Sequence, residues 1–527
     1  MSKQNNLTDF LTDVANAIRT KKGTTGLINP QNFSAEIASL SGGLEIVEMA
    51  ETTATIEPNK VYVWGMVESL NITLGTSTNE SDFFAFRFRC SKPTMTVVTV
   101  NGATWADDTE LDTQGNPVLD LGSWYQCEIK GGTSALYARL AHYIPFADSN
   151  VEAVLLANGV GDGLGVTYKD AAKVKSISTW FKGNTDITAF AEFVNFLGIS
   201  NLLDSTFNGC SSLAEISLPA SLTRISNSTF NDCSSLAEIS LPASLTRIEI
   251  STFQRCSSLA KVLNLENTKV TSIDQYVFRY CTSLAEVSLP AGLTSIGNYA
   301  FNGCSSLTKI ALPAGVTSIG NYAFDGCKLL ARVLNLENTK VTSIGQYAFL
   351  GCSSLTEIAL PDTLTSIGDS TFNGCSSLTE IALPAGVTSI GGSAFKGCTL
   401  LAGITLPDTL TSIGNSTFNG CSSLAEISLP AGLTSIGNYA FNGCSSLTKI
   451  ALPAGVTSIG QYAFLGCKSL QYIRIEATTP PTLASTNAIP STIGAIYVPD
   501  ESVAAYQSAT NWSSFASKIK GISEMPA

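Results

Sequence analysis

The chain has 527 residues, 44% of them hydrophobic and 14% charged, and its formal net charge is −12. So much apolar content excludes a disordered chain, and an acidic balance without any Lys/Arg cluster argues against nucleic-acid binding, which needs a basic face. No segment is long and apolar enough to span a bilayer, so no membrane insertion is expected.

Residues 1–44 are predicted to form two short helices that serve attachment or oligomerisation. The first has an apolar stripe that ends at Gly23, and the second begins at Pro30. Helices this short are marginal alone, so they need a partner. The pair LTDVANAIRTKKGT…INPQNFSAEIASL resembles a module at the start of many phage tail and fibre proteins. That resemblance implies a homotrimer and contacts with other tail or virion proteins.

The first 23 residues lack the continuous apolar core of a secretory signal. The chain is therefore expected to be made and kept in the cytoplasm, unless it is exported without a cleaved signal.

In residues 45–149 the pattern changes to short stretches of alternating apolar and polar residues, which predicts a small β-sandwich. Six segments alternate between apolar and polar residues, as strands do, at 53–56, 61–64, 70–74, 83–88, 95–100 and 125–129. Within them, EPNKVYVWGMVESLNITLG resembles a domain of gut-phage tail proteins. Residues 150–205, which include FKGNTDITAF from Phe181 to Phe190, are interpreted as a linker and a degenerate first coil that caps the following repeats.

Residues 206–475 repeat one sequence pattern twelve times. Cysteine marks each copy and phenylalanine precedes it by three residues; nine of the intervals between cysteines are 23 residues and two are 25. A fixed period in this range predicts a solenoid. The twelve cysteines occupy one equivalent position without CxxC pairs, which predicts a buried thiol ladder rather than disulfides or zinc. They are Cys210, Cys233, Cys256, Cys281, Cys304, Cys327, Cys352, Cys375, Cys398, Cys421, Cys444 and Cys467.

One copy, CSSLTKIALPAGVTSIGNYAF from Cys304 to Phe324, shows how a coil is built. The period of two places Ile310 and Leu312 on one face of a short strand, and Pro313 ends that strand. The letters VTSIG predict a second extended piece. Residues 263–273 and 334–344 read LNLENTKVTSI instead, which predicts a longer turn and explains the two 25-residue intervals.

The pattern LxxIxLPxxVTSIGxxAFxxCxSL resembles the BspA-like leucine-rich repeats, which are found on bacterial surfaces and in some gut bacteriophages. The resemblance implies a mainly β, leucine-rich-repeat solenoid of about twelve coils. Residues 476–527 resemble the α/β C-terminal cap common after such repeats, and their apolar pattern is expected to close the open end of the solenoid.

No catalytic constellation, cofactor site or metal site is predicted. The single histidine, His142, has no nucleophile motif beside it and is interpreted as structural. A glycan depolymerase would need carboxylates in a groove, and near-identical coils argue against a unique active site. The chain is therefore predicted not to be an enzyme.

Two series of equivalent positions are predicted to face outward. The charged ladder, on the strands, has mixed signs, which favours a self-compensating solubilising face over a charged ligand groove. It comprises Glu215, Glu238, Lys261, Glu286, Lys309, Arg332, Glu357, Glu380, Gly403, Glu426, Lys449 and Tyr472.

The second series, two residues before each repeat phenylalanine, contains the tyrosine strip. Tyrosine combines flat apolar area with a polar tip, which suits recognition of carbohydrate or protein; the alternative is a structural ladder of half-buried rings stacked on each other. The strip comprises Tyr276, Tyr299, Tyr322, Tyr347, Tyr439 and Tyr462.

The N-terminal resemblance leads to a first hypothesis: a bacteriophage tail-fibre or receptor-binding protein whose solenoid contacts a protein or glycan on the host surface. It would be located in the virion tail after assembly in the bacterial cytoplasm. The alternative is a BspA-like adhesin on the bacterial cell surface that binds a host protein or glycan.

Overall fold

A computed structural model of the chain describes residues 45–49, 53–56, 60–67, 69–74, 84–90, 97–101, 104–105, 124–132, 135–161 and 165–526. The two predicted N-terminal helices lie outside these residues. The described residues form two compact units. The first contains those up to Lys175 together with Ala189–Ile199, and the second contains Ser176–Thr188 and the residues from Ser200 onward.

Among the described residues of the first unit, nine strands form two sheets, and each of the six predicted strand segments overlaps one of these strands. One sheet has the order β1-β3-β5-β8-β9-β7 and the other β2-β4-β6, so the first seven strands alternate between the two sheets and β8 and β9 both join the larger one. The strands are β1 Glu45–Met49, β2 Thr53–Ile56, β3 Lys60–Val67, β4 Ser69–Leu74, β5 Phe84–Cys90, β6 Val97–Asn101, β7 Thr104–Trp105, β8 Trp124–Gly132 and β9 Ala135–Tyr143.

Two helices follow these sheets in the first unit, α1 (Ser149–Ala157) and α2 (Tyr168–Lys173). Each begins at a side chain that accepts a hydrogen bond from a backbone N–H of the first turn: Asp148 caps α1 and Thr167 caps α2. Strand β10 (Ala189–Phe190) and a 3₁₀ segment (Ala191–Asn195) complete the unit.

The second unit is a mainly β, parallel solenoid of about 14 turns. One row of strands comes from the LxxIxL segments. Its members are β12 Glu215–Ile216, β14 Glu238–Ser240, β16 Lys261–Leu263, β19 Lys309–Ala311, β21 Arg332–Leu334, β24 Glu380–Ala382, β26 Gly403–Thr405, β29 Lys449–Leu452, β31 Tyr472–Ile475, β33 Ala495–Val498 and β34 Ile519–Gly521.

A second row comes from the VTSIG segments, and its strands pair in parallel from one coil to the next. Its members are β11 Asn201–Leu202, β13 Arg224–Ile225, β15 Arg247–Ile248, β17 Ser272–Ile273, β18 Ser295–Ile296, β20 Ser318–Ile319, β22 Ser343–Ile344, β23 Ser366–Ile367, β25 Ser389–Ile390, β27 Ser412–Ile413, β28 Ser435–Ile436, β30 Ser458–Ile459 and β32 Thr482–Leu483.

The coil follows the predicted alternation. Ile310 and Leu312 are each 1% exposed, whereas Ala311 between them faces solvent. In the two variant coils, Asn264 and Asn335 adopt a left-handed conformation and begin 3₁₀ segments at Leu265–Asn267 and Leu336–Asn338. The predicted longer turns are therefore confirmed.

The interior of the solenoid is built on a continuous stack of phenylalanine rings. The twelve repeat phenylalanines, from Phe207 to Phe464, are fully buried, with successive ring centroids 5.2–5.7 Å apart and planes within 19° of parallel. Each ring therefore packs both of its faces against neighbouring rings, and these contacts stabilise the interface between adjacent coils.

We expect Phe349→Ala, in the middle of this stack, to lower the free energy of unfolding by about 3–5 kcal/mol, because it removes a buried ring and leaves a cavity between two others. Urea unfolding followed by circular dichroism measures this loss. Leu350→Ala, at the adjacent outward position, is the control, and an equal effect of both substitutions would contradict the role of the stack.

The predicted thiol ladder is confirmed: the twelve repeat cysteines are free and buried. Each thiol donates a hydrogen bond to the carbonyl oxygen of the phenylalanine one coil earlier, with Sγ–O distances of 2.9–3.3 Å. Burial raises the pKa of these thiols, that of Cys210 to about 12. The cysteines are therefore neutral interior donors rather than nucleophiles at neutral pH.

The solenoid extends beyond the twelve cysteine-marked coils at both ends. Phe181 stacks on Phe207 at 5.3 Å, and its carbonyl accepts the bond from Cys210. After Cys467, strands β32, β33 and β34 continue both rows. The C-terminal cap adds the helix α3 (Val503–Ser508) and 3₁₀ segments at Thr486–Ala488, Asp500–Ser502, Trp512–Lys518 and Ile522–Glu524.

Two aromatic residues anchor this cap. Tyr506 donates its hydroxyl hydrogen to the carbonyl of Ala477, and Trp512 donates its indole N–H to that of Pro481. Among the described residues, no helix has the length and apolar character needed to cross a membrane.

Candidate binding surface

The tyrosine strip lies at a backbone position with an unusual conformation. All twelve equivalent residues, six tyrosines and six serines, have φ between 52° and 63°. This left-handed region is costly for residues with a Cβ. The conformation directs the backbone N–H toward the next coil: that of Tyr299 donates to Asn321 and that of Tyr322 to Gln346, each at 2.9 Å. The stacking of one coil on the next therefore requires this left-handed backbone conformation. Serine adopts it as well as tyrosine does.

The tyrosine rings of neighbouring coils stack on each other. Centroids lie 5.1 Å apart for Tyr276 and Tyr299, 4.6 Å for Tyr299 and Tyr322, and 4.5 Å for Tyr322 and Tyr347. The rings remain partly exposed. Desolvation within the stack raises the pKa of Tyr322, and its two tyrosine neighbours add to the effect. The stack therefore covers ring faces and leaves a narrow aromatic band toward solvent.

A shorter stack of the same kind lies near the C-terminal end of the repeats. Tyr439 and Tyr462 have centroids 4.9 Å apart and planes 26° from parallel. Tyr439 is 38% exposed. The serines at the intervening positions Ser370, Ser393 and Ser416 separate this pair from the longer run. The strip is therefore two separate aromatic surfaces.

Two residues that the sequence analysis did not select extend the longer run. The guanidinium carbon of Arg279 lies 5.2 Å from the ring centroid of Tyr276, 4.6 Å from that of Tyr280 and 5.4 Å from that of Tyr299. Such distances favour cation–π attraction. The sequence does contain a signal for them: Arg279-Tyr280 occupies the position where five other coils have Asn-Gly. We call Arg279 and Tyr280, with Tyr276, Tyr299, Tyr322 and Tyr347, the tyrosine–arginine surface.

Hydrogen bonds hold the Arg279 side chain in place. Its Nε–H donates to Asn302 at 3.0 Å, and one Nη donates to the Tyr280 hydroxyl at 3.2 Å. Asn302 in turn donates to the carboxylate of Asp325 at 2.8 Å. Burial raises the pKa of that carboxyl, against the opposing effects of Asn302 and Arg279. Arg279 forms no salt bridge within 4 Å to the described residues, so its charge is positioned without being neutralised by an ion pair.

The charged ladder largely compensates itself, as its mixed signs predict. Four cations each lie against a carboxylate one coil away. The pairs are Lys261–Glu238 at 4.0 Å, Lys309–Glu286 at 3.4 Å, Arg332–Glu357 at 3.4 Å and Lys449–Glu426 at 3.3 Å. Exposed pairs of this kind stabilise a fold by about 1 kcal/mol or less, so their main consequence is a face of low net charge.

Within the part of the chain that the structure describes, no three His, Cys, Asp or Glu side chains are grouped so that they could hold a metal ion. The arrangement offers aromatic edges, hydroxyl groups and one positioned guanidinium.

Comparison with known proteins identifies the repeats. The profile of the BspA type leucine rich repeat region (6 copies) matches residues 200–331, 271–402, 332–424 and 394–483, which together span more than half of the chain. No curated protein sequence matches the chain.

Several solved structures are similar to the chain. A leucine-rich repeat protein from Bacteroides ovatus is 26% identical and covers 59% of this chain and 84% of its own, with a TM-score of 0.44. A leucine rich cell surface protein from Faecalibacterium prausnitzii is 30% identical, and the match covers 53% of this chain and 83% of that protein, with a TM-score of 0.39. The T. pallidum leucine-rich repeat protein is 34% identical, and the match covers 35% of this chain and 75% of that protein, with a TM-score of 0.27.

The repeat spacing, the two parallel strand rows and the matched profile agree, and the chain belongs to the BspA type leucine-rich repeat family.

Proposed function

We propose that this chain is a bacterial surface adhesin whose solenoid binds a protein or glycan through the tyrosine–arginine surface. BspA-like leucine-rich repeat proteins are typically bacterial surface proteins, and leucine-rich repeat proteins generally bind other proteins or glycans. Membership of the family therefore favours this function over the tail-fibre hypothesis. The tail-fibre function, the homotrimer and the contacts with virion proteins stay predictions that rest on the N-terminal resemblance.

The tyrosine–arginine surface is the observation that carries the proposal. Tyrosine and arginine are enriched among the residues that dominate binding energy at interfaces. Here Tyr299 and Tyr322 are held by ring stacking, and Arg279 by two hydrogen bonds. Binding therefore costs little side-chain entropy, and the loss of this entropy is one of the main terms that weaken binding. The serine coils show that the fold itself does not require these aromatic rings.

The combined substitution Tyr299→Ser, Tyr322→Ser and Tyr347→Ser tests the proposal. Serine occupies the equivalent position in six coils with the same φ, so the variant should fold normally. Saturable binding of the fluorescent full chain to epithelial cells, bacterial cells or a glycan array should weaken about tenfold or more, because several high-contribution aromatic contacts are lost together.

Tyr439→Ser with Tyr462→Ser is the matched control, since it makes the same chemical change in the shorter stack. Equal binding by the triple variant and the unmodified chain would exclude the longer stack as the contact. If the unmodified chain shows no saturable binding to any of these surfaces, the adhesin function is wrong.

A further inference from the structure

At Glu380, as at Glu215, the charged ladder lacks the cation that its pattern provides elsewhere. Glu238, Glu286 and Glu426 are each followed, one coil later, by a lysine that pairs with them. Glu380 is followed by Gly403. Strands β24 and β26 align these two residues directly in the sheet register. Among the described residues, Glu380 has no cationic partner within 4 Å, so this part of the ladder keeps an uncompensated carboxylate.

The same position opens a groove in the strand face. A depression of about 760 Å³ is lined by charged-ladder residues and by the apolar residues beneath them. Ile404 and Leu406 are partly exposed in it, whereas Ile381 and Leu383, their equivalents one coil earlier, are 4% and 5% exposed. The groove therefore has an apolar floor beside an unpaired carboxylate.

The backbone does not require glycine at Gly403. Its φ lies outside the left-handed region, and an added Cβ would meet only the Cβ of Glu380, at 4.0 Å. Gly320 is the contrast, since a Cβ there would lie 2.6 Å from the backbone nitrogen of Asn298. A side chain could thus fill the groove without strain, and its absence leaves room for one from another molecule.

We propose that this groove is a second docking site, separate from the tyrosine–arginine surface, that takes a lysine or arginine side chain from an extended segment of a partner protein. The aliphatic stem of that side chain lies on Ile404 and Leu406, and its charge meets Glu380. Charge complementarity supports this occupant: the incoming cation completes the pairing that lysines of this chain provide elsewhere on the ladder.

The test uses the full chain and a short fluorescein-labelled peptide of alternating lysine and serine, titrated by fluorescence anisotropy in about 150 mM salt. Gly403→Lys supplies the missing cation from within the chain, and Glu380→Gln removes the unpaired charge. We expect each of these two substitutions to weaken binding of the peptide about fivefold to tenfold. This is the effect expected from the loss of one charge pair and its apolar contact.

Glu215→Gln is the matched control, because it makes the same change in net charge at the same strand position outside the groove; it should change binding less than twofold. Equal weakening by all three variants would show that the peptide senses only overall charge, and would overturn the proposal. So would failure of the unmodified chain to bind the peptide. A fully acetylated peptide should not bind, and unchanged melting temperatures establish that the variants are folded.

Discussion

Alkaline solution should unfold the solenoid between about pH 9 and about pH 11, with the twelve buried thiols as the cause. Burial raises the pKa of Cys210, Cys398 and Cys467 from the ordinary value of 9.0 to about 12, and it raises the pKa of the other nine repeat thiols in the same direction. Ionisation also removes the hydrogen that each Sγ donates to a phenylalanine carbonyl.

The direction follows from linkage. A group whose pKa is higher in the folded chain stabilises the fold fully below its unfolded pKa and loses that contribution as the pH rises toward its folded pKa. At about pH 10, one unit above the pKa of a thiol in the unfolded chain, each thiol lowers the free energy of unfolding by about 1.4 kcal/mol. Twelve such losses together exceed the total of about 5–15 kcal/mol that stabilises a typical domain.

Far-ultraviolet circular dichroism and thiolate absorbance, measured on the same alkaline titration, check this prediction. Both signals should change in one cooperative transition, since the thiols ionise only when the coils open. Thiolate absorbance that rises near pH 9 while the dichroism stays constant would show that the thiols are accessible in the folded chain. The proposed cause would then be wrong.

Removal of the C-terminal cap, residues 476–527, should convert the chain into an aggregating species. The cap buries Tyr506 and Trp512, which are 0% and 1% exposed, and its strand β33 pairs with β31. Truncation would expose the apolar end of the core together with an unpaired strand edge, and an open edge is a template for association. Solenoids need such terminal caps for solubility.

Deletion of residues 353–375 is the matched control for this truncation. It removes one 23-residue coil, joins Cys352 to Ser376 in register and keeps both ends. Because each coil contacts only its neighbours, this variant should remain folded and unaggregated, with a melting temperature within a few degrees of the full chain. Light scattering and thermal melting compare the two. A truncated chain that neither aggregates nor melts earlier would contradict the role of the cap.

The sequence was a reliable guide wherever a feature is local to one coil and recurs. The period, the inward Ile310 and Leu312, the strand end at Pro313 and the buried cysteines all follow from spacing and residue type. Repetition made these predictions strong, because twelve copies average out the exceptions that mislead a single strand prediction. The same averaging hid Arg279 and Tyr280, because the combination of arginine and tyrosine occurs at these positions in one coil only.

The additional turns were harder to see because they keep the shape of a coil without its sequence. Phe181 stacks like a repeat phenylalanine, yet no cysteine follows it three residues later. At the other end, Ala488 accepts the backbone N–H of Phe464, as the residue before each repeat phenylalanine does elsewhere. Neighbouring coils impose their hydrogen-bond pattern on these segments, so packing defines the turns.

By itself, the sequence determined the solenoid, its buried thiol ladder and the positions that face outward, because side-chain burial follows directly from the period of each segment. Tertiary structure alone decided how the side chains at those outward positions are arranged. The left-handed backbone at Tyr299, the stacking of its ring, the position of Arg279 and the unpaired Glu380 beside Gly403 all depend on which residues of different coils come within a few ångströms. Those distances are set by inter-coil hydrogen bonds, which join residues 22 or more positions apart and which no local pattern encodes.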